Sequence, residues 1–367
     1  MKWKEQLLNL TAYQPGKTIE EVKKQFNLEE IVKLASNENP FGSSSKVMEA
    51  LKNVDGSFAL YPDGYATNLR LALAEFLQVS PQELVLGNGS DEIILMISRA
   101  LLRPGLNTVM ATHTFGQYKH NAIVDGAEVR EIPLTSEGNH DLDEMLQAID
   151  ENTSVVWLCS PNNPTGTYIT EEKLVNFLNA VSKDVLVVLD EAYYEYVVAE
   201  DYYDGVKLAK QFENLIVLRT FSKIYGLASL RVGYGIANEK LITTLEPIRE
   251  PFNVNTLGQI ATKAALDDQE FVENCKQKNR EGLEQFYSFC EEHGLSFYPS
   301  QTNFVLIDFK TDGNEVFQYF MRNGYIVRSG VPLNFPTSVR ITVGSKEQNE
   351  GLLKVMSQFI EEKAAVL

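Results

Sequence analysis

Between about residues 83 and 236, short aliphatic and β-branched runs alternate with segments of helical pattern, and this alternation constrains the fold most. The strand candidates are 84–86, 108–111, 129–133, 155–159, 185–190, 215–218 and 232–236. The run Val185-Leu186-Val187-Val188-Leu189 is apolar on both faces, which suits a strand covered by helices on both sides. The pattern predicts an α/β fold: a mostly parallel sheet flanked by helices, with ligands beyond the carboxyl ends of its strands.

After Pro251 the texture changes. A long helical stretch (about 255–292) leads into short runs at 304–309, 325–328 and 339–343, as expected for a smaller α+β domain. The first 45 residues carry turn chemistry (Gln14-Pro15-Gly16, Asn39-Pro40) and little strand pattern. The expected division is an arm over 1–45 packing on the small domain or a partner subunit, a large ligand-binding domain over 46–250, and a small domain over 251–367. At 367 residues, 44% of them hydrophobic, the chain has enough apolar material for two cores.

Thirty-three basic residues against fifty acidic ones give a net charge of −17, which argues against nucleic acid or an anionic membrane as partner. Cys159, Cys275 and Cys290 are widely spaced, without metal-ligand spacing, and read as thiols of a reducing compartment; no metal site is expected. The start is too polar for a signal peptide, and no apolar run has membrane-spanning length. A soluble, cytoplasmic protein is expected.

Several polar groups gather at the strand exits. Lys223 follows the run 215–218 in Thr220-Phe221-Ser222-Lys223, with Arg231-Val232-Gly233 a short loop later. Asp190 ends five apolar residues, where a carboxylate is costly unless paired, and Tyr193 lies three residues on. Asn163 sits in Ser160-Pro161-Asn162-Asn163-Pro164-Thr165-Gly166, a turn that can aim its amide inward or simply reverse the chain. An amine, a carboxylate, a phenol and an amide at strand exits can hold a charged aromatic aldehyde. Pyridoxal phosphate (PLP) is such a molecule, and lysine is the residue that binds its aldehyde covalently. Asp190 would hold the ring nitrogen protonated, with Tyr193 and Asn163 near the ring oxygen. Asp190-Glu191 also matches a Walker-B pair, but the chain has no Gly-x-x-x-x-Gly-Lys-Ser/Thr loop, so an ATPase reading falls.

Gly87-Asn88-Gly89-Ser90-Asp91-Glu92 lies between a strand and a helix, where free N–H groups favour a phosphate; the segment is equally an ordinary helix cap. Ser222 and Arg231 suit the same dianion. Phe115 could stack on a cofactor ring or be a rim aromatic of the core. Arg328 and Arg340 could bind anionic substrate from the small domain or serve as surface ion-pair partners. Tyr61, in Leu60-Tyr61-Pro62-Asp63-Gly64, reads locally as a rigid turn residue.

The order Asn39-Pro40, Tyr61-Pro62, Gly87-x-Gly89-x-Asp91, Thr114-Phe115, Asn163-Pro164-Thr165-Gly166, Asp190-x-x-Tyr193, Ser222-Lys223, Arg231-x-Gly233, Arg340 resembles the fold-type I PLP-dependent aminotransferases. Lys33-Leu34-Ala35-Ser36-Asn37-Glu38-Asn39-Pro40, 220–226 and Val339-Arg340-Ile341-Thr342-Val343-Gly344 are most similar to the branch acting on histidinol phosphate. The resemblance runs from about residue 5 to 360.

It implies that Lys223 carries the cofactor and moves the proton, Asp190 pairs the ring nitrogen, and Tyr193 and Asn163 hold the ring oxygen. Phe115 would stack on the ring, while backbone at Ser90 and Asp91, with Ser222 and Arg231, would hold the phosphate. Tyr61 would reach the cofactor phosphate of a neighbouring subunit, implying a homodimer with shared sites. Arg340 would take the glutamate carboxylate, Arg328 and Arg340 the anionic end of the second substrate, and Asn39 would join the substrate site. Ile224 stands where relatives often carry a small residue, and His113 where proline is frequent.

The implied activity is transamination between histidinol phosphate/imidazole-acetol phosphate and glutamate/2-oxoglutarate, in histidine biosynthesis. The same fold would serve an aromatic amino-acid aminotransferase, since an apolar pocket separates rings of similar size poorly, or a threonine-phosphate decarboxylase, which differs only in which bond to Cα lies perpendicular to the cofactor ring. A non-catalytic PLP-binding regulator is the alternative of another class; the chain shows no basic helix-turn-helix segment for it.

Overall fold

The computed structural model describes residues 1–11, 16–54 and 58–365; Gln14 and Pro15 of the first expected turn lie outside the described residues. The strands, in chain order, begin with β1 (Val32–Lys33) in the arm. Seven follow: β2 (Leu84–Gly87), β3 (Asn107–Ala111), β4 (Glu128–Ile132), β5 (Thr153–Cys159), β6 (Leu186–Asp190), β7 (Leu215–Thr220) and β8 (Gly233–Ile236). The remainder are β9 (Ser296–Phe297), β10 (Phe304–Asp308), β11 (Tyr325–Ile326), β12 (Arg328–Ser329) and β13 (Ser338–Thr342).

β2–β8 form one sheet in the order β2-β8-β7-β6-β5-β3-β4. Its strands run parallel except β8, which is antiparallel to both β2 and β7. The two-faced apolar pattern of β6 has its physical counterpart here. Val187 and Leu189 join the hydrophobic cluster on one face, Leu186 and Val188 the cluster on the other. Burying each such side chain contributes about 1.5–3 kcal/mol, so no register that exposes one face competes.

The smaller sheet is antiparallel, in the order β12-β13-β10-β9, and its cluster is built from Leu283, Phe286, Val305, Ile307, Phe320, Val339, Ile341, Leu352 and Phe359. The expected run at 325–328 is split. Tyr325–Ile326 pairs in parallel with β1, and Arg328–Ser329 pairs with β13, so the chain changes sheets at the buried Val327. The expected long helix is also divided, into Thr256–Leu266 and Gln269–His293. The Asp268 carboxylate accepts from Phe271 N–H and starts the second helix. Ala261, Ala265, Val272 and Cys275 pack into the larger sheet's cluster, so that core continues past residue 251.

Arm residues Val22 and Ala35 pack against Met321 and Ile326. From there the arm passes between the sheets: Leu34 N–H donates to the Ile326 carbonyl, and Thr342 N–H donates to that of Leu34. No helix among the described residues is long and apolar enough to cross a membrane.

Candidate active site

The site forms where the carboxyl ends of β2, β5, β6 and β7 meet. At the start of β8, Gly233 pairs with Gly87 on one side and Thr220 on the other. That register brings the helix Ser90–Leu101 beside the loop carrying Ser222, Lys223 and Arg231. A Cβ on Gly233 would lie 2.3 Å from the Ser90 backbone nitrogen, so glycine permits the close approach. The helix has no side-chain cap; its first N–H groups and dipole face the loop. Arg231, at φ 54°, donates from Nη1 to Ser222 Oγ (3.2 Å) and from Nη2 to Asp91 Oδ2 (3.3 Å). Two backbone donors, a hydroxyl and a guanidinium thus share one corner, which suits a phosphate dianion.

Across the sheet edge, Cys159 of β5 is level with Asp190 of β6, and Asp190 with Leu218 of β7. Asp190 is buried. Burial pushes its carboxyl up to about 6, opposed by hydrogen bonds from Tyr118 and the Ala192 N–H. Lys223 is half-buried as a residue, and its amine lies 5.6 Å from the Tyr193 ring centre. Desolvation, followed by the Arg340 and Arg231 cations, lowers it to about 8, against the pull of Asp91 and Glu38.

The smaller sheet meets these strand ends through Arg340 of β13. Arg340 Nη1 donates to Asn163 Oδ1 (2.6 Å) and Nη2 to the Ala35 carbonyl (2.9 Å). Arg328 is directly opposite Arg340 in the β12–β13 register, so both side chains leave the same face. Asn37 Nδ2 donates to the Tyr193 hydroxyl oxygen (2.9 Å), leaving the phenol proton available to a third group. Asn163 Oδ1 is the atom that accepts from Arg340, and among the described residues its NH2 has no hydrogen-bond acceptor. The resulting set offers an amine, a buried carboxylate, a phenol, an amide and an anion corner, which fits the parts of pyridoxal phosphate.

A family model described as aminotransferase class I and II matches residues 29–356. The chain belongs to the class I and II aminotransferases. It is 62% identical to a histidinol-phosphate aminotransferase of Bacillus licheniformis over 97% of this chain and 99% of that one. A histidinol-phosphate aminotransferase of Geobacillus sp. (strain WCH70) is 59% identical over the whole of both chains. Among solved structures, histidinol-phosphate aminotransferase from Sinorhizobium meliloti in complex with pyridoxal-5'-phosphate superposes with a TM-score of 0.89. It is 27% identical and covers 98% of each chain.

In this aminotransferase the expected residues divide into two groups. Ser90, Asp91, Asn163, Asp190, Tyr193, Ser222, Lys223, Arg231 and Arg340 gather at the carboxyl ends of the large sheet's strands through the contacts described above, with Phe115 half-buried at the exit of β3. Asn39 is beside the lysine loop, but its amide donates to the Ile224 carbonyl (2.6 Å), which supports the loop rather than facing the cleft. Ile224 itself is fully buried core, and His113 packs on Phe335 at 4.8 Å. Tyr61 stands apart: 81% exposed, it stacks on Phe252 (4.6 Å, 17°).

Two participants escaped the sequence reading. Asn37 lies inside the recognised 33–40 motif, where Asn39 drew the attention. Tyr118 donates to Asp190 Oδ2 at 2.6 Å; its one available signal was its place three residues after Phe115.

Proposed function

We propose that this enzyme is a PLP-dependent transaminase exchanging an amino group between histidinol phosphate/imidazole-acetol phosphate and glutamate/2-oxoglutarate, in histidine biosynthesis. The full-length likeness to enzymes of that name supports the substrate. The observation that carries the chemistry is Lys223, an amine lowered to about 8 by burial and by the Arg340 and Arg231 cations, whose charge the buried Asp190 carboxylate feels.

PLP, when bound, supplies an electron-accepting ring next to the amino carbon. Lys223 would hold the cofactor by its aldehyde and would move the proton at the reacting carbon. Asp190 would accept from the ring N–H and so keep the ring cationic. Tyr193 and Asn163 would donate to the ring oxygen, and Phe115 would stack on the ring. The Ser90 and Asp91 N–H groups, Ser222 and Arg231 would hold the phosphate. Arg340 binds the glutamate carboxylate with a planar fork, and Arg328 receives the phosphate end of the second substrate.

The reading includes a cytoplasmic homodimer in which Tyr61 serves the partner's phosphate corner. Phe58, Leu60, Tyr61, Tyr65 and Phe252 are all exposed; such apolar side chains are usually covered in an assembly. It also includes the division into arm (1–45), large domain (46–250) and small domain (251–367).

The test is a side-by-side measurement of kcat/KM for histidinol phosphate, phenylalanine and tyrosine against 2-oxoglutarate, in the parent and in Arg328→Ala. Histidinol phosphate should be preferred by the parent, and the variant should lose about 2 kcal/mol or more of that preference. Equal rates with the aromatic amino acids, or an unmoved ratio, contradict the assignment.

A further inference from the structure

Among the described residues, Asp190 has two hydrogen-bond donors. The Tyr118 hydroxyl donates to Oδ2 at 2.6 Å, and the Ala192 N–H donates to Oδ1 at 3.1 Å. These occupy two of about four acceptor directions of a carboxylate and leave room for a third donor. Tyr118 is itself immobilised. Its ring is fully buried and stacked on Trp157 (4.9 Å, 10°). The Trp157 indole N–H donates to Thr108 Oγ1 (2.8 Å), which donates to the Val155 carbonyl (2.7 Å). Phe115 meets the Tyr118 ring edge-on (5.6 Å, 79°), so one aromatic wall joins the expected ring-stacking residue to the carboxylate.

We propose that Tyr118 is a positioning residue for Asp190, its hydroxyl keeping the carboxylate ionised and aimed at the cofactor ring nitrogen. The inference rests on the reading that Asp190 meets that nitrogen. Other groups face Asp190 from every neighbouring element: Cys159 from β5, Asp91 from the helix Ser90–Leu101, Lys223 from the loop after β7, and Glu191 and Tyr193 from its own loop. Glu191 is neutralised by Arg219 at 2.7 Å. Asp91 disfavours the ionised form, and Lys223 is the one of these that brings positive charge. Burial is the largest influence and favours the protonated acid; the Tyr118 hydrogen bond is the largest influence against it. The phenol, pushed far up by burial and by Asp190, remains a donor at any working pH.

The experiment titrates apoenzyme with PLP across pH 5–9, following the cofactor's absorbance. Failure of the parent apoenzyme to bind PLP would defeat the underlying reading rather than this inference. Tyr118→Phe retains the ring and removes the donor. It should bind PLP about tenfold or more weakly at pH 7. Its loss of affinity on acidification should begin at higher pH than in the parent, because a carboxyl without its donor takes up a proton sooner. In an Asp190→Asn background the same change should add little. Trp157→Phe, which disturbs the stack and keeps the hydroxyl, should leave the pH profile in place. A parental affinity and pH profile in Tyr118→Phe, or an equal loss with and without Asp190→Asn, overturns the proposal. If Tyr118→Phe folds only together with Asp190→Asn, the coupling stands. If it folds in neither background, the fold needs the hydroxyl independently of Asp190 and the proposal is wrong.

Discussion

Lys223 and Asp190 are pushed toward neutrality from opposite sides, the amine down to about 8 and the acid up to about 6. The sign matters for the lysine, because the neutral amine is the nucleophile. At pH 7 a lysine at 8 is neutral in about one molecule in ten, an ordinary one at 10.4 in fewer than one in a thousand. With the cofactor removed, acylation of Lys223 by a small amine-directed reagent should rise with pH and level off above about 8. Exposed lysines should keep gaining toward 10, and peptide mass mapping separates the two. A Lys223 profile that tracks the surface lysines contradicts the assigned environment. At this scale the sequence was legible where a group stands beside its own strand end, as Lys223, Asp190 and Asn163 do. It was silent on Tyr118–Asp190 and Asn37–Tyr193, pairs separated by 72 and 156 residues, because nothing local says which distant donor meets which acceptor.

The seven strands of the large sheet were legible to within about two residues; six of them are buried, which leaves apolar runs between helices, whereas β4 is partly exposed. β1, β9, β11 and β12 are two residues each, too short to show an alternation, and their pairing is decided by the chain's passage between sheets. The antiparallel direction of β8 was also hidden, although it sets the phosphate corner by bringing Gly233 against Ser90. Gly233→Ala should therefore act on that corner. Its Cβ must push the helix start away, and PLP affinity should fall about tenfold while affinity for phosphate-free pyridoxal changes little. Equal losses for the two ligands would mean that the glycine serves the sheet and not the phosphate site.

For the whole molecule, Arg340 of the smaller sheet reaches Asn163 and Asn37 of the N-terminal segment reaches Tyr193, so both bear on the strand ends of the large sheet. The exposed Tyr61 patch suggests completion by a second copy as well. Lys223→Ala and Tyr61→Ala, each impaired alone, should regain part of the parental activity when unfolded together and refolded as mixed dimers. No recovery despite mixed-dimer formation, or a fully active monomer, contradicts a shared site. The most direct measurement concerns the lysine itself. Borohydride reduction of the PLP-loaded enzyme, followed by peptide mass mapping, should place a single pyridoxyl group on Lys223 and abolish activity. A label on another lysine, or no label in an enzyme that transaminates, would contradict the account.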